Sequence, residues 1–360
     1  MKRQHDLPLV LLMVLLGSCG QPPAEDTQQA DAIDDLFSAY QKGVQPGVAV
    51  AVVQDGKLVL QRSYGYADID AQTPITADTA FDLASVSKQF GAMAIMLLEE
   101  DGKLSYDDPI GKYVSELKVY DGVTIRHLLT HTGGLPDYYD VIDTTSAMPT
   151  NQDAAELLGQ MAKADFAPGE RYEYSNSGYD MLGPIVESAS GMRFADFVRE
   201  RIFIPSGMMS SYVHDDRLPG IPNGARAYAP SGDGFAPDYD NPLNAIVGSG
   251  SIFSSLNDLV RWDEVLYTDK LVSAETLELA FTSGTTNSGE PLDYGFGWRI
   301  DEYAGHKRLR HGGSWVGFRS HIARIPERRF SVILLSNRAD FEPEDYVDTI
   351  TGLYLGPGEE

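Results

Sequence analysis

The chain has 360 residues, 42% of them hydrophobic, enough for one large globular unit or two closely joined subdomains. Acidic residues outnumber basic ones 53 to 28, and the resulting net charge of −25 excludes binding to phosphate backbones as a function. A single cysteine excludes an internal disulfide.

In chain order, Lys2-Arg3, an apolar run from Leu7 to Leu16 and then Gly17-Ser18-Cys19 read as a secretory signal. The run is too short to span a membrane as a helix. Leu16-Gly-Ser-Cys19 resembles a bacterial lipobox, which implies lipidation of Cys19 and a lipoprotein signal over residues 1–19. The plainer alternative is an ordinary signal peptide cleaved nearby. Gly20 lacks the Asp retention signal of Gram-negative sorting, so the outer membrane, facing the periplasm, is the expected destination. Residues 20–31 are polar, carry Pro22-Pro23 and read as a flexible tether.

The folded body is expected over 32–356. Ile33, Leu36, Phe37 and Tyr40 give 32–41 a helical period. Residues 48–53 and 57–63 read as strands joined at Gln54-Asp55-Gly56. Helices are predicted over 89–100, 153–163, 179–189, 194–204 and 256–267. Residues 315–325 and 330–336 read as strand–turn–strand, and 345–353 as a closing helix. Strands at both ends and helices between predict an α/β (α+β) fold. An antiparallel sheet would form from about 32–88 and 290–356, flanked by helices, with a mostly helical subdomain inserted over about 89–289. The groove between the parts is the expected site.

The chemistry begins at Ser85-Val-Ser-Lys88. Residues at i and i+3 share a helix face, so Lys88 can stand beside the Ser85 hydroxyl. A serine needs a neighbouring base to become a nucleophile, and a desolvated lysine can be one. The apolar run from Phe90 to Leu98 would bury that helix. Orphan N–H groups at its start would favour an oxyanion. Ser115-Glu-Leu-Lys118 repeats the spacing, but in a polar segment with no long apolar helix behind it.

Two later elements select the first copy: Tyr174-Ser-Asn176 and His311-Gly312-Gly313. A serine–lysine pair, then Y-x-N, then a basic residue with glycines is the order of penicillin-recognising serine hydrolases. Tyr239-Asp-Asn241 sits in a Pro- and Gly-rich stretch, and His131-Thr-Gly133 precedes any Y-x-N, so both break the pattern.

Over residues 35–355 the chain resembles the class C β-lactamase-type family, which includes D-alanyl-D-alanine carboxypeptidases, D-aminopeptidases and esterases. Pro46-Gly-Val-Ala-Val, the phrase from Thr124 to Pro136, Gly250-Ser-Ile-Phe and Tyr294-Gly-Phe-Gly-Trp298 carry the resemblance beyond the site. It implies a β-lactamase/transpeptidase-like fold and an acyl-enzyme on Ser85. Lys88 would be the base, or the group that keeps Tyr174 ionisable. Tyr174, with cations such as Lys88 and His311 nearby, would protonate the leaving group and later activate water. Asn176 would bind Lys88 and the substrate amide. Gly312 and Gly313 would leave room for substrate along the strand, and the Ser314 N–H would be the second oxyanion donor. Arg299 is a candidate for binding a substrate carboxylate.

His311 departs from the Lys-Thr-Gly of true class C β-lactamases. Histidine is largely neutral near pH 7, so the resemblance implies a peptidase or esterase, with β-lactamase as the alternative. A non-catalytic penicillin-binding or peptidoglycan-sensing lipoprotein is the rival from another class; it would need neither Lys88 nor Tyr174. His127 and His131 at i and i+4 lack a third metal ligand, and no metal or cofactor is expected. The partners implied are a small-molecule or peptide substrate, peptidoglycan-derived peptides included, and a membrane reached only through the lipid. Oligomeric state stays open.

Overall fold

Val48–Gln54 (β1) alternates Val with Ala instead of apolar with polar, because both of its faces are buried. Val48, Val50 and Val52 enter one core, and Ala49 and Ala51 the other. The computed structural model that establishes this describes residues 27–145, 148–215 and 220–356. Cys19, expected to be lipidated, and the start of the expected tether lie outside the described residues.

β1 forms a hairpin with β2 (Lys57–Tyr64), turned at Asp55 and Gly56, both with positive φ. From the other chain end come β3 (Arg299–Tyr303), β4 (His306–Trp315), β5 (Phe318–Ile325) and β6 (Phe330–Ser336). The sheet order is β3-β4-β5-β6-β1-β2, every pair antiparallel. It is the expected sheet from both ends of the chain. Trp315 ends β4 and does not begin the next strand as predicted; the reversal is at Val316-Gly317.

One face of the sheet is covered by α1 (Thr27–Leu36) and α4 (Glu344–Leu355), through Ile33, Phe37, Val347 and Ile350. The tether expected to run through Asp31 gives way to helix at Thr27. Ala30 and Ile33, three apart, turn one side of that helix into the core, and Gln29 donates to the Leu353 carbonyl. The other face carries α2 (Lys88–Glu100), which is buried from Lys88 to Leu98 and so is apolar nearly all round. Beyond it lie Asn151–Met161, Leu182–Ser190 and Phe194–Val198, close to the predicted helices.

α3 (Leu256–Val265) crosses the expected division at 289, because it packs on β1 and β6 instead of within the helical part. Its Asp263 accepts from Arg324 of β5 at 2.6 Å and from Ser331 of β6 at 2.6 Å, all buried. The Arg324 guanidinium also lies 4.6 Å from the Tyr267 ring. Removing one partner of such a buried pair costs about 3–5 kcal/mol. An exposed pair such as Arg126–Asp107 contributes about 0–1 kcal/mol. α3 is therefore locked to the sheet from within.

Candidate active site

Phe81–Asp82 pairs with Ile252–Ser254, and the chain then turns through a 3₁₀ segment, Ala84–Ser87, into α2. The Ser85–Lys88 spacing thus falls on a 3₁₀ turn, where i and i+3 eclipse, and α2 begins three residues after Ser85. Ala84 has φ of 47°, a strained value for a residue with a Cβ. Three hydrogen bonds hold it: Ala84 N–H to Asp82 Oδ1 at 2.8 Å, Leu83 N–H to the Ile252 carbonyl at 2.8 Å, and Ser320 Oγ to the Leu83 carbonyl at 2.6 Å. Burial pushes the Asp82 carboxyl up to about 7.

Lys88 is fully buried. Its Nζ lies 2.8 Å from Asn176 Oδ1, 3.1 Å from the Ser249 carbonyl and 3.1 Å from Ser85 Oγ. The amide and carbonyl oxygens can only accept, so they claim two of the nitrogen's hydrogens. The third direction points at Ser85. A neutral amine held this way aims its lone pair at the Ser85 hydroxyl, and an ammonium aims a proton there. Both are what a base must do before and after taking a proton.

Asn176 opens the short helix Asn176–Asp180, which Ser175 caps by accepting from Gly178 N–H. That turn sets Tyr174 just outside the helix. Lys88 Nζ lies 4.9 Å from the Tyr174 ring centroid, and the Arg299 guanidinium is 5.5 Å from it. Arg299 therefore stands in the site beside Tyr174.

His311 does not supply the second cation expected there. It is buried, and its Nδ1 faces the Gly312 carbonyl at 2.7 Å while Nε2 faces the Tyr294 hydroxyl at 3.0 Å. The carbonyl only accepts, so Nδ1 carries the hydrogen and Nε2 accepts from Tyr294. Burial, reinforced by Lys88 and Arg299, pushes the imidazole down to about 3, so it is neutral at physiological pH.

The glycines beside it have a different use from the one expected. A Cβ on Gly313 would lie 2.2 Å from the Leu83 carbonyl oxygen and 2.3 Å from Ser320 Oγ. Gly313 makes room for the turn that carries Ser85, and not for substrate. A Cβ on Gly312 would meet Glu344 Oε1 at 2.8 Å, on the α4 side of the sheet. β3 pairs with β4 only as far as Arg310, so 311–315 has an open edge. Hydrogen bonding alternates along an antiparallel strand. The Tyr303–His306 and Trp315–Phe318 reversals put even-numbered residues of β4 toward the β3 side. The Ser314 N–H thus faces the open edge, in the pocket that Ser85 also lines.

Several residues of the site were not read from the sequence. Tyr139, Leu243, Ile246, Ser249 and Trp315 line the pocket with Ser85, Asn176 and Ser314. Asp180, fully buried, accepts from the Tyr138 hydroxyl at 2.6 Å, the Tyr139 hydroxyl at 3.0 Å and the Ser249 N–H at 3.3 Å. It steadies the segment whose carbonyl holds Lys88. Strained backbone collects here too: Ala84, His131, Ser251 and Val316 all have positive φ. The decoys separate cleanly. Ser115 lies on a surface 3₁₀ turn with its hydroxyl on Glu116, and the Tyr239 hydroxyl pairs with His214. Among the described residues no cluster of three metal-ligating side chains occurs.

Residues 33–354 match the family described as Beta-lactamase. Penicillin-binding protein 4* of Bacillus subtilis (strain 168) is 35% identical over 324 residues, covering 86% of this chain and 72% of that protein. A D-aminopeptidase of Brucella anthropi is 30% identical over 321 residues, covering 87% of this chain but only 59% of its own length. The octameric penicillin-binding protein homologue of Pyrococcus abyssi superposes with a TM-score of 0.80 at 29% identity, covering 92% of this chain and 78% of that one.

Gly313→Ala tests whether the glycine serves the Ser85 turn. Its methyl must push Leu83 and Ala84 away, and a displacement near 1 Å can cost about 100-fold in rate. We expect kcat/KM to fall by about that factor on any substrate the enzyme turns over, together with a lower melting temperature. Unchanged turnover and melting would mean that the turn does not rest on Gly313.

Proposed function

The chain belongs to the β-lactamase family of serine hydrolases, and on that premise we propose that Ser85 attacks esters, amides or D-amino-acid peptides in preference to β-lactams. In this reading Ser85 Oγ bonds to the substrate's carbonyl carbon as its proton passes to the Lys88 amine. The carbonyl oxygen takes the negative charge and meets the N–H groups of Ser85 and Ser314. Collapse breaks the bond to the leaving alcohol or amine, which takes the Tyr174 hydroxyl proton while the proton from Ser85 stays on Lys88. Water then gives a proton to the Tyr174 oxygen as its own oxygen bonds to the acyl carbon, and collapse releases the acid while Ser85 Oγ takes its proton back from Lys88.

The observation that carries the preference is His311. A lysine there would present a fixed positive charge to a β-lactam carboxylate. The buried, neutral imidazole has both nitrogens engaged by Tyr294 and Gly312 and presents none. Arg299 is the cation left to meet a carboxylate, which suits a peptide with a free C-terminus. Lys88 set against Ser85, with Tyr174 beside it, favours turnover over simple binding or sensing, which needs neither. The substrate class includes peptidoglycan-derived peptides.

We also propose that the chain is an exported lipoprotein held to the membrane through Cys19, in the outer membrane facing the periplasm if the cell is Gram-negative. The support is the order of basic residues, apolar run and Leu-Gly-Ser-Cys. No described helix is long and apolar enough to span a membrane.

A panel of p-nitrophenyl acetate, a D-Ala-D-Ala peptide, D-alanine amide and a chromogenic cephalosporin tests the substrate reading. The cephalosporin should give the lowest kcat/KM. Arg299→Gln should raise KM for the free-carboxylate peptide by about 10- to 100-fold, since a hydrogen bond to a charged group is worth about 1.5–3 kcal/mol. It should raise KM for the uncharged ester less. Cephalosporin turnover faster than every other substrate would overturn the preference.

Fractionation tests the anchor. Wild type should sediment with membranes and Cys19→Ala should not be lipidated. A fully soluble mature wild type beginning at another residue would refute lipidation.

A further inference from the structure

His131 was set aside in the sequence because it breaks the order of the motifs. In the structure it lies directly against Tyr174. We propose that His131 is the positioning residue of Tyr174, clamping the backbone on both sides of it and the ring from behind.

Three contacts carry this. The Glu173 N–H donates to the His131 carbonyl at 2.9 Å, and the Ser175 N–H donates to its Nδ1 at 3.0 Å. The two residues flanking Tyr174 are thus both tied to one histidine. The imidazole also faces the Tyr174 ring, with centroids 4.4 Å apart and planes at 34°. His131 holds all three contacts with a φ of 57°. That conformation is uncommon away from glycine and is kept where the surroundings over-determine it.

The chemistry of the ring fits a spacer and not a proton carrier. Nδ1 must accept from Ser175, so the hydrogen sits on Nε2. Nε2 is buried without a hydrogen-bond partner, among the rings of Tyr172, Tyr179 and Tyr294. Protonating Nδ1 would set two N–H groups against each other. Burial first, then Lys88, His311 and Arg299, hold this imidazole well below the ordinary histidine range. A neutral ring here adds bulk and an acceptor beside Tyr174 without adding a positive charge.

The inference rests on the reading of Tyr174 as the proton carrier, and a double-mutant cycle separates the two. Steady-state hydrolysis of p-nitrophenyl acetate would be measured for wild type, Tyr174→Phe, His131→Phe, His131→Asn and the double variant His131→Phe/Tyr174→Phe. His131→Phe keeps a ring but loses the acceptor, and should lower kcat by about 100-fold with KM little changed. His131→Asn keeps an acceptor near the Nδ1 position and tolerates positive φ, so it should recover to within about tenfold of wild type. The double variant should be no slower than Tyr174→Phe by more than about twofold, because His131 acts through Tyr174. If His131→Phe does not fold by circular dichroism, His131→Gln takes its place in the cycle. Unchanged kcat in the His131 variants, or a double variant slowed by the product of the two singles, would overturn the proposal. Full activity in Tyr174→Phe, or no hydrolysis by wild type, would instead overturn the reading of the site beneath it.

Discussion

A single nitrogen, Lys88 Nζ, is the point on which the rest of the molecule depends. It is removed from water by the helix it begins, and two obligate acceptors from distant parts of the chain direct it at Ser85. Asn176 comes from the turn that sets Tyr174, and Ser249 from a segment braced on Asp180. Buried polar groups need their partners, and losing one leaves a group that costs about 1–3 kcal/mol or more. The same need that makes the cluster expensive to break also fixes the orientation of its one reactive direction.

The surrounding backbone is built to let these groups approach. The nucleophile's turn carries a strained alanine and sits on β4 where only a glycine leaves space. Positive φ recurs at His131, Ser251 and Val316, each on a different side of the pocket. Strain of this kind costs about 1–3 kcal/mol per residue and persists where packing and hydrogen bonds over-determine the conformation. Here those bonds are visible: Ser251 Oγ lies within hydrogen-bond distance of the Asn244 and Ile246 carbonyls, which share its one hydrogen, and the Arg319 guanidinium holds the Val316 carbonyl. The buried Asp263–Arg324 tie keeps the sheet and α3 from drifting apart beneath them.

Much of this was legible in the sequence, and the parts that were not share a cause. The terminal strands and central helices follow from local period, and the order Ser85–Lys88, Tyr174–Asn176, His311 from its resemblance to the motif order of penicillin-recognising serine hydrolases. Ser249 and Asp180 reach the site from far along the chain, and nothing in their own neighbourhoods marks them; His131 and Tyr294 lie in phrases that carry the family resemblance, but their place beside Tyr174 and His311 depends on the fold. β3 reads as Arg-Ile-Asp-Glu-Tyr, largely polar because its residues are only partly buried, and gave no strand signal. The expectation that His311 would stand as a cation near Tyr174 differs from the structure for a related reason. Its charge depends on burial and on Lys88 and Arg299, which sequence position does not encode. Gly312 and Gly313 were rightly read as positions needing space, but the space belongs to Glu344 and to the Ser85 turn.

The account stands on Ser85 being the atom that becomes acylated. Intact-protein mass spectrometry after treatment with a fluorophosphonate, followed by peptide mapping, tests that directly. The account predicts one adduct per chain, located on Ser85 and absent from Ser85→Ala. An adduct on Ser115, or undiminished labelling of Ser85→Ala, would contradict it.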